Sequence, residues 1–108
     1  IKKELSYTES TTLDDYIDDL DVLYVTRIQK ERFPDEEEYA NVKDSYVIGL
    51  DVIKKMKDDA IILHPLPRVD EISTDVDKTK QAKYFEQAEY GKYTRAALLG
   101  LILNENGF

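Results

Sequence analysis

The residue types best suited to chemistry fall into two short clusters, Thr26-Arg27-Ile28-Gln29-Lys30-Glu31-Arg32 and His64-Pro65-Leu66-Pro67-Arg68. Arginine offers a planar fork of donors that matches a carboxylate or a phosphate, and glutamine adds a donor and an acceptor. In the second cluster each proline fixes its own φ and biases the residue before it toward extended backbone. His64 and Leu66 are therefore expected to be extended, with carbonyls aimed in set directions and able to accept from an N–H group. A stiff turn leaving a buried strand accounts for the same stretch equally well. His64 itself reads either as a hydrogen-bonded, partly buried imidazole or as a direct contact to ligand.

Each cluster follows an apolar run of strand length, Asp21-Val22-Leu23-Tyr24-Val25 before the first and Ala60-Ile61-Ile62-Leu63 before the second. Such runs suit strands buried on both faces, as in a parallel sheet. Helical patterns lie between and after them, so the chain reads as repeated βαβ units: an α/β fold, a parallel sheet with flanking helices. In open parallel sheets ligands bind beyond the carboxyl ends of the strands. If the two strands are neighbours, Arg27, Gln29 and the backbone of Pro65, Leu66 and Pro67 meet in one crevice. The complementary ligand is small, carries a carboxylate or phosphate, and has an amine or amide. An amino acid fits.

The remaining elements are those that must hold the two strands. Leu5 to Thr8 reads as a short strand. Thr11 or Thr12 is placed to cap a helix through about Leu20, with Leu13, Tyr16, Ile17 and Leu20 on one face. The acidic run Asp35 to Glu38 reads as a solvated loop leading to a helical turn around Tyr39 to Lys43. Asp51 to Lys57 reads as a helix capped by Ser45 or Asp51, with Val52, Ile53 and Met56 facing inward. Val69 to Lys80 is a polar loop, and a helix then begins near Thr79 and stops at Gly91. The last segment, Tyr93 to Leu103, is apolar nearly all round. A helix of that kind sits at the centre of a compact fold or packs against something this chain does not contain.

Composition excludes several function classes. The length, 108 residues, allows one domain with a modest core. A formal charge of −8 argues against nucleic acid or an anionic membrane surface as partner. No apolar run approaches the length of a membrane span, and Ile1-Lys2-Lys3-Glu4 does not begin a signal peptide. The absence of cysteine removes disulfides, thiol nucleophiles and thiolate metal sites, and fits a cytoplasmic protein. One histidine rules out a histidine-rich metal site. There is no G-x-S-x-G elbow and no glycine-rich phosphate loop. A paired-carboxylate or Mg²⁺ site among Asp70, Glu71, Asp75 and Asp77 stays open, although EF-hand spacing is absent. Nothing asks for a cofactor.

Taken together, Tyr24 to Arg32 and His64 to Ile72 resemble the aspartate-binding half of aspartate carbamoyltransferase. The resemblance continues through Glu38 to Lys43, Thr74 to Thr79, Tyr84-Phe85, Gln87-Ala88 and Arg95 to Leu99, nearly the whole chain in the family's order. It implies a Rossmann-like, three-layer half of a two-domain transferase that moves the carbamoyl group of carbamoyl phosphate to the amine of L-aspartate in pyrimidine biosynthesis. By that resemblance Arg27 matches an arginine that holds an aspartate carboxylate, and Gln29 a glutamine that helps position the same substrate. Leu66 and Pro67, with Pro65 beside them, match positions whose main-chain carbonyls orient the reacting groups. Glu31 matches a glutamate bracing the substrate arginine, and Tyr39 and Asp70 a pair linked to domain closure, with His64 and Arg68 in supporting positions. Related ornithine enzymes carry a cysteine after the histidine of this motif, so Pro65 favours the aspartate branch.

The family's chain is much longer and supplies its carbamoyl-phosphate motif, a catalytic histidine and further arginines from a first domain absent here, so this chain corresponds to a fragment of it. It contains none of the family's catalytic groups, and alone it is expected to bind aspartate weakly at best and to catalyse nothing measurable. The final helix, about residues 93–104, is expected to pack on the carbamoyl-phosphate domain. The complete chain is expected to form a homotrimer that regulatory chains can join. The alternatives are a stand-alone small-ligand-binding or regulatory module without catalysis, and an interaction domain working through the last helix.

Overall fold

A computed structural model describes residues 5–29, 32, 34–43 and 47–104. The strands β1 (Val22–Tyr24) and β2 (Ile61–Leu63) pair in parallel, with Val22 opposite Ile61, Leu23 opposite Ile62 and Tyr24 opposite Leu63. The other edge of β2 is used as well. Ile62 N–H donates to the Gln81 carbonyl at 2.7 Å, and the Lys83 N–H donates to the Ile62 carbonyl at 3.0 Å, a one-residue parallel bridge to Ala82. A second bridge joins Ile48 to Ile72. The parallel α/β architecture with flanking helices read from the sequence is the one observed.

Side chains alternate across a strand, so this register assigns the faces. Leu23 and Ile62 point to one side, where Ile17, Val25, Ile48, Met56, Ala60, Ile72, Val76 and Tyr84 form the core with Ile62, itself 0% exposed. Val22, Tyr24, Ile61 and Leu63 share the other face. There Ile61 and Leu63 are half-buried and line a hollow shared with α3 (Tyr84–Leu103), while Val22 and Tyr24 remain about half exposed. The expectation of burial on both faces is therefore met on one face only, because α3 packs against β2 and leaves the outer face of β1 about half exposed.

Several expected elements differ, each for a local reason. Leu5 to Thr8 is exposed and pairs with no strand among the described residues. Leu13 to Asp19 forms successive turns, closed by Tyr16 and Ile17 N–H to the Leu13 carbonyl and Asp19 N–H to the Tyr16 carbonyl, in place of a helix. The hydroxyls expected to cap it bond elsewhere: Thr12 donates to the Asp15 carboxylate at 2.6 Å, and Ser10 shares its hydroxyl with Thr12. The aspartate-rich stretch, with side chains that compete for backbone groups, does the rest. Leu13, Ile17 and Leu20 still reach the core, whereas Tyr16 is exposed.

The acidic run is the first turn of helix α1 (Glu36–Lys43) and not a loop before it. Asp35 accepts the Glu37 N–H at 3.0 Å, and Glu36 to Glu38 face the positive end of the helix dipole. Helix α2 is only Leu50–Ile53, with Gly49 in the cap position and Asp51 inside the first turn. Its end tightens through Lys55 N–H to the Val52 carbonyl and Met56 N–H to the Ile53 carbonyl, which turns Met56 inward. Ser45 lies outside the described residues. Within the expected loop, Thr74–Lys78 forms a 3-10 helix that buries Val76 completely.

Helix α3 starts at Tyr84 and runs through Gly91 without a break. A mid-helix glycine costs only about 1 kcal/mol relative to alanine. A Cβ at Gly91 would stand 3.0 Å from Arg95 Nη1, so the bare glycine leaves room for the guanidinium of the next turn. Beyond it Leu98, Leu99, Leu101, Ile102 and Leu103 are all more than half exposed. Ile62→Ala is expected to lower unfolding stability by about 2–5 kcal/mol, and Ile102→Ala by less than about 0.5 kcal/mol, when urea midpoints are compared.

Candidate functional site

Because β1 and β2 run the same way, the chain leaves both at the same edge of the sheet, where Thr26 to Gln29 and His64 to Arg68 follow. Val25 N–H donates to the Leu63 carbonyl at 2.9 Å, which extends the ladder beyond β1 before Thr26, Arg27 and Gln29 emerge as exposed residues. A cleft of about 310 Å³ opens here, between Tyr24, Thr26 and Ile28 on one side and Glu71 on the other.

His64 is 1% exposed and is held at its backbone N–H and at both ring nitrogens. Its backbone N–H donates to Gln87 Oε1 at 2.9 Å, and Gln87 Nε2 donates to the Tyr24 hydroxyl at 3.1 Å, so one side chain of α3 holds the ends of both strands. The Leu66 N–H donates to His64 Nδ1 at 2.8 Å. A backbone N–H can only donate, so Nδ1 is the bare nitrogen and the ring proton sits on Nε2. That proton faces Glu71 Oε1 at 2.7 Å, while Glu71 Oε2 accepts the Val69 N–H at 3.0 Å. Burial on its own would raise the Glu71 carboxyl. The hydrogen bonds it receives, from its own N–H, from Val69 and from His64, outweigh burial and hold it below the ordinary glutamate range.

Leu66 corrects the expectation of extended backbone. Its φ is 51°, in the left-handed region, and the Leu66–Pro67 peptide is cis. The proline rule disfavours only the right-handed helical region, and the bond from Leu66 N–H back to the His64 ring curls the chain into the left-handed one. Leu66 is half-buried against the core, whereas Pro65 and Pro67 on either side are exposed.

Arg68 closes the other end of the stretch. Its guanidinium makes a two-pronged pair with Asp77, Nη1 to Oδ1 and Nη2 to Oδ2, and also donates to the Tyr84 hydroxyl at 3.2 Å. Tyr84, fully buried, donates in turn to Asp77 Oδ1. Its ring and that of Phe85 lie 5.6 and 5.9 Å from the Arg68 guanidinium carbon. The bond from Arg68 holds the Asp77 carboxyl below its usual range. Burial, with Asp77 acting in the same direction, pushes the Tyr84 hydroxyl up to about 12.

Of the other residues singled out in the sequence, Tyr39 lies half-buried in α1, Asp70 is exposed in the turn before Glu71, and Glu31 lies outside the described residues. Of the carboxylates left open as a cation site, Glu71 and Asp77 are turned to protein partners, and among the described residues no three possible metal ligands gather. Sequence reasoning gave no role to Gln87 or to the inward turn of Glu71. Gln87 lies three positions after the buried Tyr84, on the same helix face. Nothing in the spacing of Asp70, Glu71, Asp75 and Asp77 marks which carboxylate turns inward.

A parallel sheet with polar groups gathered beyond its carboxyl ends is the arrangement of an α/β small-molecule-binding domain. The family model for the aspartate/ornithine carbamoyltransferase Asp/Orn-binding domain matches residues 1–102, and the chain belongs to that family. It is 82% identical over all 108 residues to the aspartate carbamoyltransferase catalytic subunit of Nitrosopumilus maritimus, of which it spans 35%. The solved catalytic subunit of M. jannaschii aspartate transcarbamoylase superposes with a TM-score of 0.76 at 56% identity, over 88% of this chain and 31% of that one. The Trypanosoma cruzi enzyme solved with aspartate and phosphate gives 0.67 at 40% identity, over 85% of this chain and 26% of that one.

The linked ionisations have readable signs. Tyr84 is raised in the folded state, so its contribution is intact below pH 10 and is lost as pH rises toward about 12. Asp77 and Glu71 are lowered, so theirs is intact above the usual carboxylate values of 3.8 and 4.5 and is lost as pH falls below them. Melting temperatures followed across pH are expected to fall at both extremes. The alkaline limb is expected to flatten in Tyr84→Phe and the acid limb in Asp77→Asn.

Proposed function

We propose that this chain forms the aspartate side of an aspartate carbamoyltransferase, which transfers the carbamoyl group of carbamoyl phosphate to the amine of L-aspartate. The observation that carries this reading is the placement of Arg27 and Gln29 at the same sheet edge as the curled Leu66–Pro67 backbone. Membership of the family and 82% identity to an enzyme of that name support it. Arg27 pairs with a carboxylate of aspartate through its planar fork, and Gln29 supplies a donor and an acceptor beside it. The carbonyls of Leu66 and Pro67 accept from the substrate amine and the carbamoyl NH₂, which orients the amine nitrogen toward the carbamoyl carbon. As that C–N bond forms, the C–O bond to phosphate breaks and the amine gives up a proton. The products are N-carbamoyl-L-aspartate and phosphate.

The groups that stabilise the developing charge belong to a carbamoyl-phosphate domain, onto which residues 93–104 pack. The exposed apolar side chains from Leu98 to Leu103 support that packing. Glu31 braces Arg27, and Tyr39 with Asp70 takes part in domain closure. The complete subunit works in the cytoplasm as a homotrimer, with or without regulatory chains. The acidic composition, the lack of cysteine and the absence, among the described residues, of a helix able to cross a membrane fit that setting.

The test is a chimera in which these 108 residues replace the matching 35% of the Nitrosopumilus maritimus subunit. The chimera is expected to form carbamoyl-aspartate, and Arg27→Ala to lower kcat/KM for aspartate by about a hundredfold or more, as expected when one partner of a desolvated charge pair is removed. A well-folded trimeric chimera without turnover would overturn the enzyme reading in favour of a binding module.

A further inference from the structure

We propose that Glu71 is a positioning residue for the aspartate site: it keeps the His64 proton on Nε2, so that Nδ1 is free to hold the Leu66 N–H and fix the left-handed turn that aims the Leu66 and Pro67 carbonyls. The inference rests on the reading of those carbonyls given above. It adds a residue to which neither the sequence nor the family resemblance gives a role.

A leucine in the left-handed region is uncommon and unfavourable, so something must hold it there. The structure supplies one polar hold on its N–H, the bond to His64 Nδ1 at 2.8 Å. That bond exists only while Nδ1 lacks a proton. In a neutral imidazole the proton chooses between the two nitrogens, and the choice is set by what the other nitrogen meets. Here Nε2 meets a carboxylate oxygen at 2.7 Å in a buried setting. A carboxylate only accepts, so the proton is held on Nε2. Glu71 is itself fixed by the Val69 N–H on its second oxygen, so its orientation is set by the same loop that it organises.

An amide at position 71 would upset this. Glutamine has one acceptor and one donor group where Glu71 presents two acceptors to two N–H donors. Its NH₂ cannot face the Val69 N–H, a fixed donor, so it turns to His64 Nε2, where the ring can adapt by moving its proton. The ring proton then sits on Nδ1, where it meets the Leu66 N–H head-on.

Three substitutions in the chimera separate positioning from mere stability. In His64→Asn the amide oxygen takes the place of Nδ1 and can still accept from Leu66 N–H, but nothing reaches Glu71. In His64→Gln the amide nitrogen takes the place of Nε2 and can still donate to Glu71, but nothing holds Leu66. Glu71→Gln should behave as His64→Gln does. KM for aspartate is expected to rise about tenfold or more in His64→Gln and Glu71→Gln, and by about threefold or less in His64→Asn, with kcat changed less than KM.

Amide hydrogen exchange supplies the second readout, with Leu66 N–H losing protection in His64→Gln and Glu71→Gln and keeping it in His64→Asn. Equal effects of His64→Asn and His64→Gln on KM and exchange, or a Leu66 amide as protected in Glu71→Gln as in the unsubstituted chimera, would overturn the inference. If the unsubstituted chimera has no turnover, the enzyme reading fails while Leu66 exchange still decides the role of Glu71.

Discussion

The pairing of Leu23 with Ile62 across two parallel strands is the contact on which the rest of the molecule depends. Ile62 has a fully buried side chain, and its N–H and carbonyl are bonded to the Gln81–Lys83 segment while its strand lies against β1 on the other side. Two short parallel strands are marginal by themselves, so their stability comes from what is packed around them. The turns at Leu13 to Leu20, the bridge at Ile48 and the first turn of α3 all bury their apolar side chains against this one centre. The candidate site inherits its geometry from the same contact, since both polar clusters are simply what comes next on each strand.

The His64 to Arg68 stretch is clamped at its two ends by separate networks, one built on the buried His64–Glu71 pair and one partly buried around Tyr84. At its start His64 is bonded to Glu71 and Gln87, and at its finish Arg68 is bonded to Asp77 and Tyr84. Among the described residues no buried side-chain nitrogen or oxygen lacks a partner. That completeness matters because a half-satisfied buried network destabilises a core, whereas a complete one specifies a single arrangement. Proline stiffness alone would leave the stretch free to pivot as a rod. The two anchors remove that freedom while leaving Pro65 and Pro67 at the surface.

Much of this was legible in the sequence, and the parts that were not share a cause. The two strands, their parallel arrangement and the gathering of Arg27, Gln29 and the proline stretch at one edge follow from apolar runs and the order of elements. Helix boundaries were less readable where short polar side chains chose between local partners. Thr12 bonding to Asp15, and Asp35 capping a run that otherwise reads as loop, are decided by single hydrogen bonds that composition does not encode. Gly91 has the look of a helix stop, and its actual use depends on where the Arg95 side chain lies. The left-handed Leu66 is unreadable for the same reason: the rule for residues before proline describes the backbone alone, and the bond that selects the left-handed region comes from a ring two residues away. The resemblance implies roles for Glu31 and Tyr39 that spacing does not. The partnership of His64 with Glu71 depends on how the loop between them turns back, which spacing does not encode.

Helix α3 joins a first half fastened to the sheet, through Tyr84 and Gln87, to a second half of exposed leucines and isoleucine. Its hydrogen bonds are local, so it can form early, whereas β1 and β2 must find each other across a long stretch of intervening chain. Closing such a loop is the slow part of building a parallel sheet. A helix that forms first stands with its apolar second half, Leu98 to Leu103, in water before the sheet is built, so crowding at that moment bears on self-association as well as the stability of the finished fold.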